Sequence, residues 1–236
     1  MGKAGIIQVF FVIFWSYASW SIDYKRISID DGLSNSVVFS ISQDQNGLIW
    51  IGTRSGIDSF DGSQFKHYDL MTDSTSLPAQ TRDILFDASN NLWIGTTNGL
   101  FRRNSENGIF EPALNESLKL QNHKIFKLQS DSKNNLWIGT LNSLYVYKPE
   151  LDSLIQIREI TIPVNDILCY NENFIIVATI RGVFKINSSD YKATPISSKK
   201  NINDTFSNEF ISTLQNDANG KILIGVLHKG LFIYDP

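Results

Sequence analysis

The chain has 236 residues, is 42% hydrophobic and 19% charged, and has no low-complexity tract, which is the composition of a globular protein with material for a large core. A formal net charge of −3 supplies no basic footprint for a phosphate backbone, so nucleic acid is excluded as an expected partner of this segment. The single cysteine, Cys169, excludes an internal disulfide and reads as a small core residue in a strand.

Residues 1–21 have the order of an export signal. Lys3 gives a positive start, Ile6 to Trp15 is almost continuously apolar, and Ser16 to Ser21 offers small residues to a peptidase, with cleavage expected after Ser19 or Ser21. The alternative, a retained anchor, calls for ~20 apolar residues, more than this stretch holds. No cysteine follows it, so a lipoprotein anchor is not expected. Next, Tyr24 to Ile29 alternates like a strand that lacks a unit of its own.

From there the chain repeats. Trp50-Ile51-Gly52-Thr53, Trp93-Ile94-Gly95-Thr96 and Trp137-Ile138-Gly139-Thr140 share one string, and weaker copies follow at Ile176-Val177-Ala178-Thr179 and Leu223-Ile224-Gly225-Val226. Each unit opens with an alternating run, as in Val38-Phe39-Ser40-Ile41-Ser42, the signal of a half-buried strand. A turn follows, opened by Asp and closed three positions later by Gly or Asn: Asp44 with Gly47, Asp87 with Asn90, Asp131 with Asn134, Asp217 with Gly220. Asp can bond the backbone ahead of it, and Gly and Asn tolerate a left-handed backbone, so these four closing residues are predicted to have positive φ. The fourth unit breaks the pattern at Tyr170-Asn171-Glu172-Asn173. A third strand starts at Gly56, Gly99, Ser143, Gly182 and Gly230, and a less regular fourth ends most units. Repeat cores fall near 37–70, 80–113, 124–157, 164–196 and 210–236. Strands at this spacing predict an all-β chain over 22–236, a β-propeller of four-stranded antiparallel blades. Either the ring closes on five blades, with Tyr24 to Ile29 as outer strand of the last, or the chain is an incomplete arc of a larger ring.

The repeated residues have two readings each. Trp50, Trp93 and Trp137 could stack on sugars, but one strand position repeated in successive blades reads first as inter-blade packing. The aspartates lack the further acidic ligands of a calcium loop and read as turn formers, so no metal and no cofactor is expected. His67, His123 and His228 occupy unrelated repeat positions, with no His-x-x-x-His or Cys-x-x-Cys spacing and no Gly-x-Ser-x-Gly elbow. Folding could still assemble a carboxylate pair for glycoside cleavage, but no catalytic residue is visible.

Ligand contacts are expected on the propeller face where the loops joining second to third strands meet those joining blade to blade. The first set holds Arg54, Asn98, Asn142, Arg181, His228 and Lys229, and the second Asn35, Arg82, Asn122, Asn165 and Asn208. Arg and Asn suit sugar hydroxyls or carboxylates.

Asp31-Gly32-Leu33-Ser34-Asn35, Ile41, Asp44, Gly47, Trp50-Ile51-Gly52-Thr53 and Gly56-Ile57 through Phe60-Asp61-Gly62 resemble the two-component regulator propeller repeat. The resemblance covers the chain after residue 21, most specifically in the first three units. It implies the periplasmic sensor region of Bacteroidetes hybrid receptors, built from two seven-bladed propellers ahead of a β-sandwich, membrane helix, histidine kinase, receiver modules and helix-turn-helix domain. It therefore favours the arc, an oligosaccharide or other small ligand, and as partners the remaining blades and a second copy of the receptor, with membrane contact only through those later parts. Two other classes stay open from the residues themselves, an exported interaction scaffold and a secreted carbohydrate-active enzyme.

Overall fold

The turn and strand signals of each unit produce one sheet. The computed structural model describes residues 24–68, 70, 79–114, 120, 123–196, 206 and 208–236; the expected signal at 1–21 lies outside them. The first sheet is β1 (Val38–Gln43), β2 (Ile49–Thr53), β3 (Gly56–Phe60) and β4 (Phe65–Tyr68), and the second is β5 (Thr81–Phe86), β6 (Leu92–Thr96), β7 (Gly99–Arg103) and β8 (Phe110–Pro112). The third is β9 (Ile125–Ser130), β10 (Leu136–Thr140), β11 (Leu144–Lys148) and β12 (Ser153–Ile157). The fourth is β13 (Val164–Cys169), β14 (Phe174–Thr179), β15 (Gly182–Asn187) and β16 (Ala193–Pro195), and the fifth is β17 (Ile211–Asn216), β18 (Ile222–Val226) and β19 (Gly230–Tyr234). Neighbours in each sheet run antiparallel, as in a propeller blade. The expectation of four strands holds in four blades; the fifth has three among the described residues.

The first strands of successive blades lie side by side, β1 by β5, β5 by β9, β9 by β13 and β13 by β17, so they form the inner wall around the propeller axis. Core residues fall into four clusters, one in each gap between blades. Trp50 and Ile57 meet Ile84 and Ile94; Trp93 and Leu100 meet Leu128 and Ile138; Trp137 and Leu144 meet Ile167 and Val177; Ile176 and Val183 meet Leu214 and Ile224. The core is a stack of apolar layers, so each blade is held by its neighbours on both sides.

The glycine of the repeated string owes its place to this stacking. A Cβ on Gly52, Gly95 or Gly139 would stand 2.7, 2.7 or 2.6 Å from a side-chain carbon of Thr81, Ile125 or Val164, the residue that opens the next blade's first strand. Ala178 takes the position in the fourth layer, beside Ile211.

Two expectations are corrected. Tyr24 to Ile29 is not a strand: it is irregular up to Ser28 and enters a short 3-10 helix at Ile29–Asp31, capped by the Ser28 side chain and by Asp31 reaching back to the Ser28 N–H. Among the described residues the segment pairs with no strand, and its end is fixed by the local capping bonds at Ser28. Strict alternation also fails in the first strands, where buried positions recur at three: Thr81 and Ile84, Ile125 and Leu128, Val164 and Ile167, Ile211 and Leu214. A β-bulge in each first strand, between Val38/Ser40, Thr81/Asp83, Ile125/Lys127, Val164/Asp166 and Ile211/Thr213, inserts the extra residue.

The ends of the stack are open. Ile41 is 67% exposed although its counterparts Ile84, Leu128, Ile167 and Leu214 are buried. At the other end Leu231 and Ile233 are each 64% exposed, whereas Ile57, Leu100, Leu144 and Val183, which match Leu231, are buried. Among the described residues the five blades form an arc with one unpartnered apolar face at each end.

Candidate ligand-binding face

Turn chemistry fixes the two ends of each blade. The turns between first and second strands close as predicted: Gly47, Asn90, Asn134 and Gly220 have φ of 85°, 61°, 58° and 78°. In each, one carboxylate oxygen accepts two backbone N–H groups, as Asp87 Oδ1 accepts from Ser89 and Asn91, both at 2.9 Å. The other oxygen accepts the tryptophan indole N–H six residues on, at 3.3 Å for Asp44–Trp50, 2.8 Å for Asp87–Trp93 and 3.0 Å for Asp131–Trp137. These indoles are buried between blades, so the packing reading of the tryptophans and the turn reading of the aspartates describe one unit. Asp217 makes the same two backbone bonds, at 2.8 Å each, ahead of Leu223.

The threonine of the repeated string does equivalent work at the opposite end. Buried Thr53, Thr96, Thr140 and Thr179 each donate to the carbonyl three residues on, at 3.3, 2.8, 2.9 and 2.8 Å. Each also accepts the N–H two residues on, so the hydroxyl shapes the turn that carries Arg54, Asn98, Asn142 or Arg181. Val226 has no hydroxyl, and the fifth blade's turn is wider, with His228 at φ 62°. Sequence reasoning missed this role although the threonine recurs with the glycine.

The turns between second and third strands are tied to the segments leading into the first strands. Arg54 N–H donates to Val37 O, Thr97 to Gln80, Leu141 to Lys124, Ile180 to Pro163 and Leu227 to Phe210. The two expected sets of loop residues thus share one face. Arg54, Asn142, Arg181, His228 and Asn208 are exposed there, and Asn98 is half-buried. Lys229 Nζ donates to Glu209 Oε1 at 2.7 Å, and Asn35 Nδ2 donates to Ser55 Oγ at 3.0 Å. Asn122 lies outside the described residues.

Arg82 and Asn165 are not loop residues. They lie in β5 and β13 as the inserted residues of the bulges, together with Phe39, Phe126 and Ser212 in the other blades. A bulge turns consecutive side chains toward the same side, so each inner strand presents two, forming two successive rows around the axis. In the deeper row Ser40, Asp83, Lys127, Asp166 and Thr213 are bonded from blade to blade. Ile84 N–H donates to Ser40 Oγ at 3.2 Å, and the Leu128 and Leu214 N–H groups donate at 2.8 Å to Asp83 Oδ2 and Asp166 Oδ2. Lys127 cannot accept, and the Ile167 N–H donates instead to Asp166 Oδ1 at 2.9 Å. Lys127 Nζ lies 3.7 Å from Asp83 and 3.5 Å from Asp166. Burial pushes the Asp83 carboxyl above its usual range, against the opposing pull of Lys127 and three hydrogen bonds.

A second polar cluster pins residues 31–35 to the first blade. Wholly buried Asp58 accepts from Ser34 N–H at 3.0 Å and Ser34 Oγ at 2.7 Å, and lies 2.8 Å from His67 Nδ1. Its carboxylate stands between hydroxyl and imidazole, whereas a serine nucleophile needs the imidazole in the middle. Burial pushes the Cys169 thiol up to about 12, with Asp131 adding to the shift, the reverse of what thiolate chemistry needs.

Comparison with known proteins agrees with this architecture. The two component regulator propeller family matches residues 32–55 and 119–142. Over 79 residues, 30% of the chain, the sequence is 42% identical to Histidine kinase P4 of Formosa agariphila, and it spans 6% of that protein. The fold is similar to the extracellular domains of two B. thetaiotaomicron hybrid two-component systems, with TM-scores of 0.72 and 0.68 at 21% and 19% identity. Those matches cover 89% and 85% of this chain and 30% and 27% of theirs. A propeller of the same kind occurs in virginiamycin B lyase from Staphylococcus aureus, with a TM-score of 0.60 at 12% identity, over 84% of this chain and 70% of that one. Residues 32–55 and 119–142, in the first and third units, are thus similar to two-component regulator propeller repeats.

Proposed function

We propose that this chain is the ligand-sensing propeller segment of a hybrid two-component receptor, exported to the periplasmic side of the inner membrane and responsive to oligosaccharides. The observation that carries the reading is the single face on which every blade's second-to-third-strand turn is bonded to the segment entering its first strand. Such a face offers amide and guanidinium groups from several blades at once, the chemistry that polyhydroxylated ligands require. The likeness to extracellular domains of hybrid two-component systems supports the sensor role. The segment senses and does not catalyse; in this reading a histidine kinase lies elsewhere in the receptor. Further blades of the same kind cover the faces at Ile41 and Leu231, and a second receptor copy completes the signalling unit.

The test is calorimetric titration of the full chain with a panel of plant and algal oligosaccharides. Saturable binding of one class, weakened in the double variant Asn142→Ala, Arg181→Ala, is the expected result. Absence of binding across the panel by a chain shown to be folded, or turnover of any member, would overturn it.

A further inference from the structure

We propose that the guanidinium edge of Arg82, clamped between Phe39 and Phe126 at the mouth of the channel, is an anion-recognition point, and that the ligand bound there carries a carboxylate or sulfate group. The bulges place these three residues in succession on the inner strands of the first three blades. Arg82 Cζ stands 4.1 Å from the Phe39 ring centroid and 5.2 Å from that of Phe126. The two rings, one from each neighbouring blade, flank the guanidinium and hold it in place. Neither ring contact uses the N–H fork, whose geometry matches the spacing of two oxyanion oxygens.

Among the described residues that edge has no acceptor. The nearest carboxylates in the deeper row are committed: Asp83 accepts from Leu128 N–H, Ile84 N–H and Ser40 Oγ, and Asp166 from Leu214 N–H, Ile167 N–H and Thr213 Oγ1, with Lys127 between them. Burial alone lowers the Arg82 pKa, with no charge partner or hydrogen bond contributing. The rest of its row is uncharged, Phe39, Phe126, Asn165 and Ser212, and Asn165 Nδ2 is already donated to Ile211 O at 2.7 Å. Packing between blades would need only the two ring contacts of Arg82. A half-desolvated cation with an unused fork is stabilised most by an anion delivered from outside.

The inference rests on the sensor reading only for the scaffold that carries the anion. The experiment is NMR titration of the full chain, observing the arginine Nε–Hε signals, with four probes: trigalacturonate, its fully methyl-esterified form, glucose 6-sulfate and inorganic sulfate. The expected result is a saturable shift of the Arg82 signal by trigalacturonate or by glucose 6-sulfate, the stronger of the two identifying carboxylate or sulfate. The methyl ester should bind at least about tenfold more weakly, the scale of one charge-assisted hydrogen bond. Arg82→Gln, shown to be folded by its tryptophan indole signals, should lose that affinity, and Arg82→Lys should keep part of it as a point charge without a fork. Inorganic sulfate binding at Arg82 as tightly as either sugar would support the anion site and remove the oligosaccharide reading. Equal affinity for acid and ester, or undiminished binding by Arg82→Gln, would overturn the anion site and leave the oligosaccharide reading standing. No Arg82 shift with any probe would also overturn it.

Discussion

At the scale of single residues, the repeated string is a set of linked demands. The aspartate six positions before Trp50, Trp93 or Trp137 shapes a turn with one oxygen and holds the indole with the other. Both residue types and their spacing were legible in the sequence; the bond joining them was not, because a strand pattern does not say where an indole N–H points. The glycine between them was legible as a repeat but not as a contact with the next blade. Gly139→Ala should therefore lower stability by about 1–3 kcal/mol, the usual cost of overpacking, because the new methyl meets the stiff side chain of Val164. Denaturant unfolding of the two proteins measures this, and an unchanged midpoint would mean that the third and fourth blades can move apart freely.

At the scale of elements, the sequence foretold the turns better than the strands they join. Asp-x-x-Gly/Asn specifies one backbone geometry locally, and all four positive-φ positions followed from it. Asn90 allows the cause to be isolated, since its side chain makes no hydrogen bond among the described residues. Asn90→Ala should cost up to about 1 kcal/mol, because alanine tolerates the left-handed region less well than asparagine, whereas Asn90→Gly, which removes the Cβ, should change stability by only a few tenths. Equal melting temperatures for the two variants would contradict that account. The first strands were misread as strictly alternating. Their signal was an apolar pair three apart, Val38 and Ile41, Ile125 and Leu128, Val164 and Ile167, Ile211 and Leu214, which a bulge converts into one buried face. For that reason Arg82 and Asn165 were placed on loops, although both line the inner wall. The segment Tyr24 to Ile29 erred the other way: it alternates but pairs with no strand among the described residues, and capping at Ser28 fixes its end instead.

At the scale of the whole molecule, the fold is a series of apolar layers with an unfilled layer at each end. Repeat architecture was legible from period alone, because no blade can bury both of its faces unaided. Which faces stay open depends on the relation between first and last blades, which no local pattern encodes. Sheet faces left without a neighbour favour association with matching blades, and the two ends complement each other as the internal layers do.

The open arc is most directly tested by residue-resolved amide hydrogen exchange on the full chain, at a concentration where it sediments as a monomer. Ile41 stands opposite Ile51 as Leu128 stands opposite Ile138 and Leu214 opposite Ile224. The Leu128 and Leu214 amides donate to a carboxylate of the preceding blade, whereas among the described residues no blade precedes Ile41. Its amide should exchange at least about tenfold faster than theirs, as expected of a locally unsupported position. Ile41 protected as strongly as Leu128 would mean that the fifth blade stands beside the first, with Thr213 accepting that N–H, and would contradict the arc.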